Sequence, residues 1–170
     1  MLSARANFAI LALKNIIYVY GGISGADSAP GREKYPTLAN PPIERYTIAS
    51  NSWESFNISM VTPLAAFSWC RVGETAQIAI LGGTNGDILT EDFFIIDFDA
   101  ETVLQKQTDF EFNTGMGKLM HVESRGSLVH LGGFNSEGDD FELALGQTQW
   151  KKLHRDHSVV LNEQNLELTS

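Results

Sequence analysis

Cysteine and positive charge are both scarce in this 170-residue chain. The single cysteine, Cys70, excludes an internal disulfide and is typical of a reducing compartment, so we expect a cytoplasmic protein. Twelve Lys and Arg residues stand against twenty-one Asp and Glu residues, a formal net charge of −9. Phosphate binding needs clustered basic residues, and nothing here is clustered beyond Lys151-Lys152. The charge balance therefore argues against a nucleic-acid partner.

Long apolar runs are also missing. The stretch from Phe8 to Leu13 has the length of a strand and lies between Arg5 and Lys14. A membrane-spanning helix needs roughly 20 apolar residues, and the same stretch makes a poor signal peptide. We therefore expect no membrane partner.

Every candidate motif for catalysis or metal binding in this sequence lacks a required residue. Residues 97–101 open like a calcium loop, but Thr102 stands where the sharp turn needs glycine and Thr108 where the bidentate glutamate belongs. The chain has no phosphate loop, dinucleotide fingerprint or nucleophile elbow. The four histidines lack cysteine or carboxylate neighbours at ligand spacing. The sequence predicts no catalytic residue, no metal ligand and no cofactor.

Three aliphatic runs each end at a Gly-Gly pair, and this is the strongest pattern in the chain. The pairs are Gly21-Gly22, Gly82-Gly83 and Gly132-Gly133. Each follows a second strand-like run and a short polar turn, which predicts three hairpins of one design. The second glycines are 61 and 50 residues apart. A repeat of about fifty residues indicates a β-propeller.

Tyr46 is followed seven residues later by Trp53, across a turn-like segment. Together with Arg5, Gly21 and Gly22, these residues resemble the kelch repeat. The resemblance implies a blade of four antiparallel strands, with the tyrosine on the third strand and the tryptophan on the fourth.

The two later units keep the glycines but match this pattern less well. The residues that we place at the tyrosine and tryptophan positions are Phe98 with Leu104 or Gln105 in unit two, and Leu143 with Trp150 in unit three. We expect Trp53 and Trp150 to be largely buried against second-strand residues of their blades, with Tyr46 beside Trp53.

The chain is thus predicted to be all-β and to form part of a kelch-type β-propeller. Three four-stranded antiparallel blades span residues 4–56, 63–107 and 116–153, and residues 154–170 form a tail or the start of a fourth unit. Second strands end at the glycine pairs. Propellers typically close with four to eight blades, so three possibilities are open: a truncated part of a longer six- or seven-bladed propeller, a half-propeller that pairs with another copy, or a solvent-tolerant open array.

Kelch proteins often act as scaffolds or substrate adaptors. The resemblance therefore implies a protein-protein interaction module without chemistry of its own, and not an enzyme. The alternative is a truncated propeller enzyme, such as a galactose oxidase-like or sugar-processing protein. The residue types of the galactose oxidase copper site are present as Cys70, Tyr18, Tyr20, Tyr35 and Tyr46.

Candidate binding residues lie in the connections between second and third strands, which share one end of an up-and-down blade. From the second glycine to the tryptophan, unit one spans 31 residues and unit three only 17. The excess forms one loop at about residues 24–42, and loops of that length are usually functional or disordered. The corresponding connections of the other units are acidic, which equally suits a solvated rim. The predicted partner-binding residues are Arg32, Lys34, Tyr35, Asp87, Asp92, Asp139 and Asp140.

Overall fold

The computed structural model describes residues 1–24, 37–59, 61–105, 117–133 and 139–153. Within these ranges the chain is all-β, with a single 3-10 turn at Glu123–Arg125, and no helix there is long and apolar enough to cross a membrane. The strands are β1 (Arg5–Ala6), β2 (Ala9–Leu13), β3 (Ile16–Tyr20), β4 (Ile23–Ser24), β5 (Thr37–Leu38), β6 (Ile43–Thr47), β7 (Ser52–Ser55), β8 (Ser68–Arg71), β9 (Gln77–Leu81), β10 (Phe93–Asp97), β11 (Thr102–Gln105), β12 (Lys118–Val122), β13 (Ser127–Leu131), β14 (Asp140–Ala144) and β15 (Lys151–Leu153).

Twelve of these strands form three four-stranded antiparallel sheets. Sheet I consists of β2, β3, β6 and β7, sheet II of β8 to β11, and sheet III of β12 to β15, each in chain order. The three predicted sets of four strands are therefore confirmed. The second strands end at Tyr20, Leu81 and Leu131, each immediately before its glycine pair.

The connection at residues 24–42 is not a plain loop at its two ends, which corrects the prediction. β1, β4 and β5 form a small three-stranded sheet, in which Ala6 pairs with Ile23 and Ile23 with Leu38. Unit two repeats this pattern as isolated bridges that join Ala65 to Thr84 and Thr84 to Leu89. Strands of two residues carry no readable periodicity, so sequence analysis missed them.

The second glycine of each pair permits a close backbone approach. Gly22 and Gly83 have φ values of +98° and +99°, and a Cβ on either would lie 2.6 Å from the carbonyl oxygen of Ala6 or Ala65. The residue after each alanine has a φ of 55°. Units one and two therefore share a backbone arrangement that only glycine accommodates at this position.

The sheets pack face to face in chain order around two apolar cores, one between sheets I and II and one between sheets II and III. Sheet II contributes to both cores because successive side chains of a strand point to opposite faces. On β9, Ile78 and Ile80 belong to the first core, whereas Ala79 and Leu81 belong to the second. A sheet covered on both faces needs apolar runs without alternation, as β9 and β10 show.

Neighbouring sheets approach each other through their first strands, β2 to β8 and β8 to β12. Ser68 Oγ, at the start of β8, lies 3.1 Å from Nε2 of His130, whose strand partner is Leu119 near the start of β12. Beyond the other end of β8, the Gly73 N–H donates to Nδ1 of His121, at 3.0 Å. The two strands therefore run in the same direction.

Sheets I and II have the same relation. The Gly22 N–H donates to the carbonyl oxygen of Leu64, at 2.8 Å, just before the start of β8. The connections between second and third strands therefore emerge at one common end of the three sheets. This end is called the loop end below.

Strand register corrects the predicted pattern in unit two. Tyr46 and Trp53 are cross-strand partners on β6 and β7. The same positions of sheet II hold Ile96 and Val103, which are also cross-strand partners and also seven residues apart. The residues predicted for these positions, which the register excludes, are Phe98, Leu104 and Gln105.

The two predicted anchor tryptophans differ in burial. Trp150 is only 8% exposed and packs edge-on against Phe93 of sheet II, with 5.9 Å between ring centroids. Trp53 is half-buried and contacts Tyr46 of its own sheet, at 5.1 Å. Burial is confirmed for Trp150, although this ring contact is with β10 of the neighbouring sheet and not with the second strand of its own. Trp53 lies beside Tyr46 as predicted and is less buried than Trp150, because the face of sheet I that carries it has no described sheet packed on it.

Candidate interaction surfaces

Four of the predicted partner-binding residues lie at the loop end. Asp87 is exposed in the connection between β9 and β10, and Asp92 is half-buried immediately before β10. Asp139 and Asp140 stand at the start of β14. The three remaining residues, which lie outside the described ranges, are Arg32, Lys34 and Tyr35.

The two aspartates of sheet III make contacts within that sheet. Asp139 Oδ2 lies 2.5 Å from Lys152 Nζ on β15. Asp140 is 8% exposed, and its Oδ1 accepts a hydrogen bond of 3.0 Å from the Gly132 N–H. Both carboxylates therefore stabilise sheet III, and Asp140 offers little surface to a partner.

The connection between β9 and β10 is supported by its own side chains. Asn85 Oδ1 accepts hydrogen bonds of 3.1 Å from the N–H groups of Asp87 and Ile88, and Thr84 Oγ1 accepts one of 3.1 Å from Gly86. The loop presents Ile88 to solvent with 63% of its surface exposed, next to the exposed Asp87. An apolar side chain on a preorganised loop loses little entropy when a partner binds.

This loop adjoins the small sheet of unit one. A methyl group added at Gly86 would lie 3.8 Å from Leu38 on β5. Tyr20 ends the strand β3 at this end of sheet I. Burial raises the pKa of its hydroxyl, and the charge of Asp92 raises that pKa further. The Tyr20 hydroxyl donates to the carbonyl oxygen of Thr62, at 2.8 Å. The loop end of units one and two is therefore one continuous surface.

A second surface is the side of sheet I that faces away from sheet II. One row of cross-strand partners crosses all four strands there: Ala12, Ile17, Tyr46 and Trp53. Ile10 lies on the same side of β2 and is 47% exposed. These five residues, together with the buried Val19 and Glu44 on the same side of β3 and β6, define the outer face of sheet I. Sequence analysis did not find it, since its exposure depends on which sheets are neighbours.

One position of this face is part of a buried ion pair. Nη2 of Arg5 donates to Oε1 of Glu44, and neither side chain is exposed. Arg5 also donates to the carbonyl oxygen of Gly21, at 3.1 Å. Burial alone would raise the pKa of the Glu44 carboxyl, but hydrogen bonds from Leu2 and Ser3 and the charge of Arg5 hold that pKa below its ordinary value. The only sequence signal for this pair was Arg5 itself, as part of the kelch-like pattern.

A cleft of about 380 Å³ lies between the first strands of sheets II and III. Its residues are Phe67, Trp69, Cys70, Arg71, Gly117, Lys118 and Leu119. Burial raises the pKa of the Cys70 thiol to about 12, against a smaller lowering effect of Lys118. The thiol is therefore protonated at neutral pH and packs as an apolar group.

The residue types of a copper site do not converge. Tyr18 stacks on Phe98 in the core between sheets I and II, with 4.4 Å between ring centroids. Tyr46 is on the outer face of sheet I, and its hydroxyl donates to Asn51 Oδ1 at 2.6 Å. Cys70 packs against the other core. Tyr35 lies outside the described ranges.

The calcium-like segment is a turn. Asp97 Oδ1 accepts hydrogen bonds from the N–H groups of Asp99 and Ala100, at 3.0 and 2.8 Å, and so caps the turn between β10 and β11. Among the described residues no group of three or more His, Cys, Asp or Glu side chains could hold a metal ion.

Compared with models of known protein families the chain matches none, and a search among curated proteins finds no relative. The structural repeat is therefore the main evidence for a relationship to any class of protein.

Proposed function

We propose that this chain is a protein-protein interaction module built on part of a kelch-type β-propeller, with the loop end as its partner-binding surface. The observation that carries the proposal is the common arrangement of the three sheets. Each is a four-strand meander, and consecutive sheets pack face to face with their first strands adjacent. Blades around a central axis have this relation.

The proposed contact region on the described part of the loop end is the connection between β9 and β10. It presents Asp87 and the largely exposed Ile88 on a loop whose backbone is already held by Asn85. Rigid loops on a sheet scaffold are a common location of binding residues. The formal charge of −9 favours a partner with a basic surface, which electrostatic attraction would steer to this end.

The titratable groups that sequence analysis considered for chemistry have structural contacts instead. Asp97 caps a turn, Asp139 pairs with Lys152, and the Cys70 thiol stays protonated. These contacts favour a binding role over the alternative of a truncated propeller enzyme. A thiol without a disulfide partner is also compatible with the proposed cytoplasmic location.

The test compares two reversed charges at opposite ends of the sheets. Asp87→Lys places a positive charge at the loop end, and Asp99→Lys places the same charge at the opposite end, in the turn between β10 and β11. The unmodified chain and both variants are used to capture proteins from a cytosolic extract, and each captured protein is then purified and titrated against all three. We expect Asp87→Lys to weaken binding of a specific partner at least tenfold and Asp99→Lys to leave it unchanged.

Ile88→Ser provides a second test without a charge change, and we expect a smaller loss in the same direction. A partner that distinguishes neither loop-end variant from the Asp99→Lys control would overturn the loop end as the binding surface. Turnover of any small molecule by the purified chain would overturn the interaction-module proposal itself.

A further inference from the structure

The central residues of the outer face of sheet I occupy positions that, in sheets II and III, pack against another sheet. Ile17 and Tyr46 lie at its centre and are half-buried. The same positions in the other two sheets are Ile78 and Ile96 in sheet II, and Leu128 and Leu143 in sheet III, all with at most 1% of their surface exposed. In sheets II and III, the preceding sheet covers these positions. In sheet I no described sheet covers them, and they stay partly exposed.

The outer face is also electrically neutral. Its one acidic position among the described residues, Glu44, is paired with Arg5, and both side chains are fully buried in the chain itself. Covering this face therefore desolvates no unpaired charge, and the cost of burying a free carboxylate does not arise.

The side of sheet III that faces away from sheet II has a different composition. Its central row of cross-strand partners is Met120, Val129, Glu142 and Lys151. Glu142 already accepts a hydrogen bond of 2.7 Å from Ser127 Oγ. Stacking sheet I of one copy on sheet III of another would bury this carboxylate and the Lys151 ammonium, so head-to-tail association is unfavourable.

We propose that the outer face of sheet I binds the same face of a second copy of this chain and forms a closed two-fold dimer. Sheets that pack face to face lie about 10 Å apart with their strands roughly aligned. With the two-fold axis parallel to the strands, the order of strands reverses across the contact. Ala12 of one copy then lies opposite Trp53 of the other, and Ile17 lies opposite Tyr46. A small residue meets a large one at each edge of the row.

The size of the face predicts the strength of the dimer. Four strands of about five residues cover a flat area of roughly 300 Å², whereas a stable interface buries about 800 Å² on each partner. The dimer is therefore weak, with dissociation in the micromolar range. Two copies of charge −9 repel each other, so added salt strengthens the association. This inference does not rest on the loop end, which lies apart from the sheet face.

The test is sedimentation equilibrium of the unmodified chain across the micromolar range, together with two variants. Ala12→Glu introduces a charge at an exposed position of the outer face, and Leu104→Glu is its matched control on β11, where Leu104 is 49% exposed. We expect the unmodified chain and Leu104→Glu to reach twice the monomer mass. Ala12→Glu should raise the dissociation constant at least tenfold.

A photoreactive phenylalanine analogue at position 12 locates the contact without adding a charge, with circular dichroism to verify that each variant is folded. Cross-links to residues 52–55 of a second copy support the two-fold arrangement. A monomer at every concentration, cross-links to sheet III, or mass that grows beyond the dimer would each overturn it. None of these results bears on Asp87→Lys, so the failure of this inference and that of the proposed function are distinguishable.

Discussion

Trp53 and Trp150 occupy the same position of the repeat in sheets I and III, yet they have different surroundings. Trp150 lies between two sheets and contacts Phe93, whereas Trp53 lies on a face without a described neighbour and contacts Tyr46. Both come seven residues after the corresponding third-strand position. The comparison shows that the repeat specifies the register of a side chain, while the neighbouring sheet determines its burial.

The same comparison extends to the acidic position of sheet I. Glu44 on β6 corresponds to Phe94 and Phe141 on the third strands of the other sheets. Arg5 corresponds to Leu64, because each stands directly before an alanine, Ala6 or Ala65. In both units that alanine pairs with the residue that follows the Gly-Gly pair. Sheet I thus has a buried ion pair where sheet II has two apolar side chains.

The largest expected effect is the separation of this ion pair. Glu44→Phe leaves the buried Arg5 charge unpaired and should lower the free energy of unfolding by about 4 kcal/mol, since breaking a buried pair typically costs 3–5. Arg5→Leu combined with Glu44→Phe copies sheet II and should regain most of that loss. Urea denaturation of the single and double variants measures both values. If the double variant is no more stable than Glu44→Phe, the two positions are not equivalent to their counterparts in sheet II.

The second prediction compares the tryptophans directly. Trp150→Ala removes a buried ring between sheets II and III and should lower the free energy of unfolding by about 3 kcal/mol. Trp53→Ala, a matched control at the same position of the repeat, should cost about 1 kcal/mol because the ring is only half-buried. Thermal or urea unfolding of dilute samples, in which the chain is monomeric, gives both numbers. Equal losses would contradict the difference in burial.

The third prediction concerns the contact between sheets II and III at acidic pH. Burial lowers the pKa of His130 to about 4, although the charge of Asp140 opposes this shift. The unfolded chain binds this proton near pH 6.5 and the folded chain only near pH 4, so stability falls as the pH drops through that window. We expect a loss of about 2 kcal/mol between pH 7 and pH 5.

The His130→Gln variant isolates this titration from that of the carboxylates, whose stabilising charges are also lost in acid. The difference in unfolding free energy between wild type and variant should shrink by the same amount over this pH range. A difference that stays constant with pH would mean that folding does not shift the pKa of His130.

Much of the fold could be predicted from the sequence because its strongest signal is local. An aliphatic run before two glycines specifies a strand and its exit within a few residues, and all three second strands end where the pattern indicates. The positions in unit two were misjudged because Ile96 and Val103 are not aromatic. The spacing of seven residues would have located them, had the residue types been given less weight.

The candidate surfaces were less accessible to sequence analysis, because they depend on contacts between distant segments. Nothing near Trp53 in the sequence indicates that its face is open, and nothing near Asp140 indicates that Gly132 donates to its carboxylate. The acidic character of the loop end could be read from composition. The division between an exposed Asp87 and a buried Asp140 could not.

The apolar character of both faces of sheet II has a consequence for folding. Sheets I and III each lose one packed face when they detach, whereas sheet II must lose two before its strands meet water. Local openings in a repeat array therefore begin at the ends, and β9 and β10 belong to the last cooperative unit to open. Hydrogen exchange of the amides in the Gln77–Leu81 and Phe93–Asp97 strands is thus limited by the free energy of unfolding of all three sheets. The stability of their own hairpin does not set this rate.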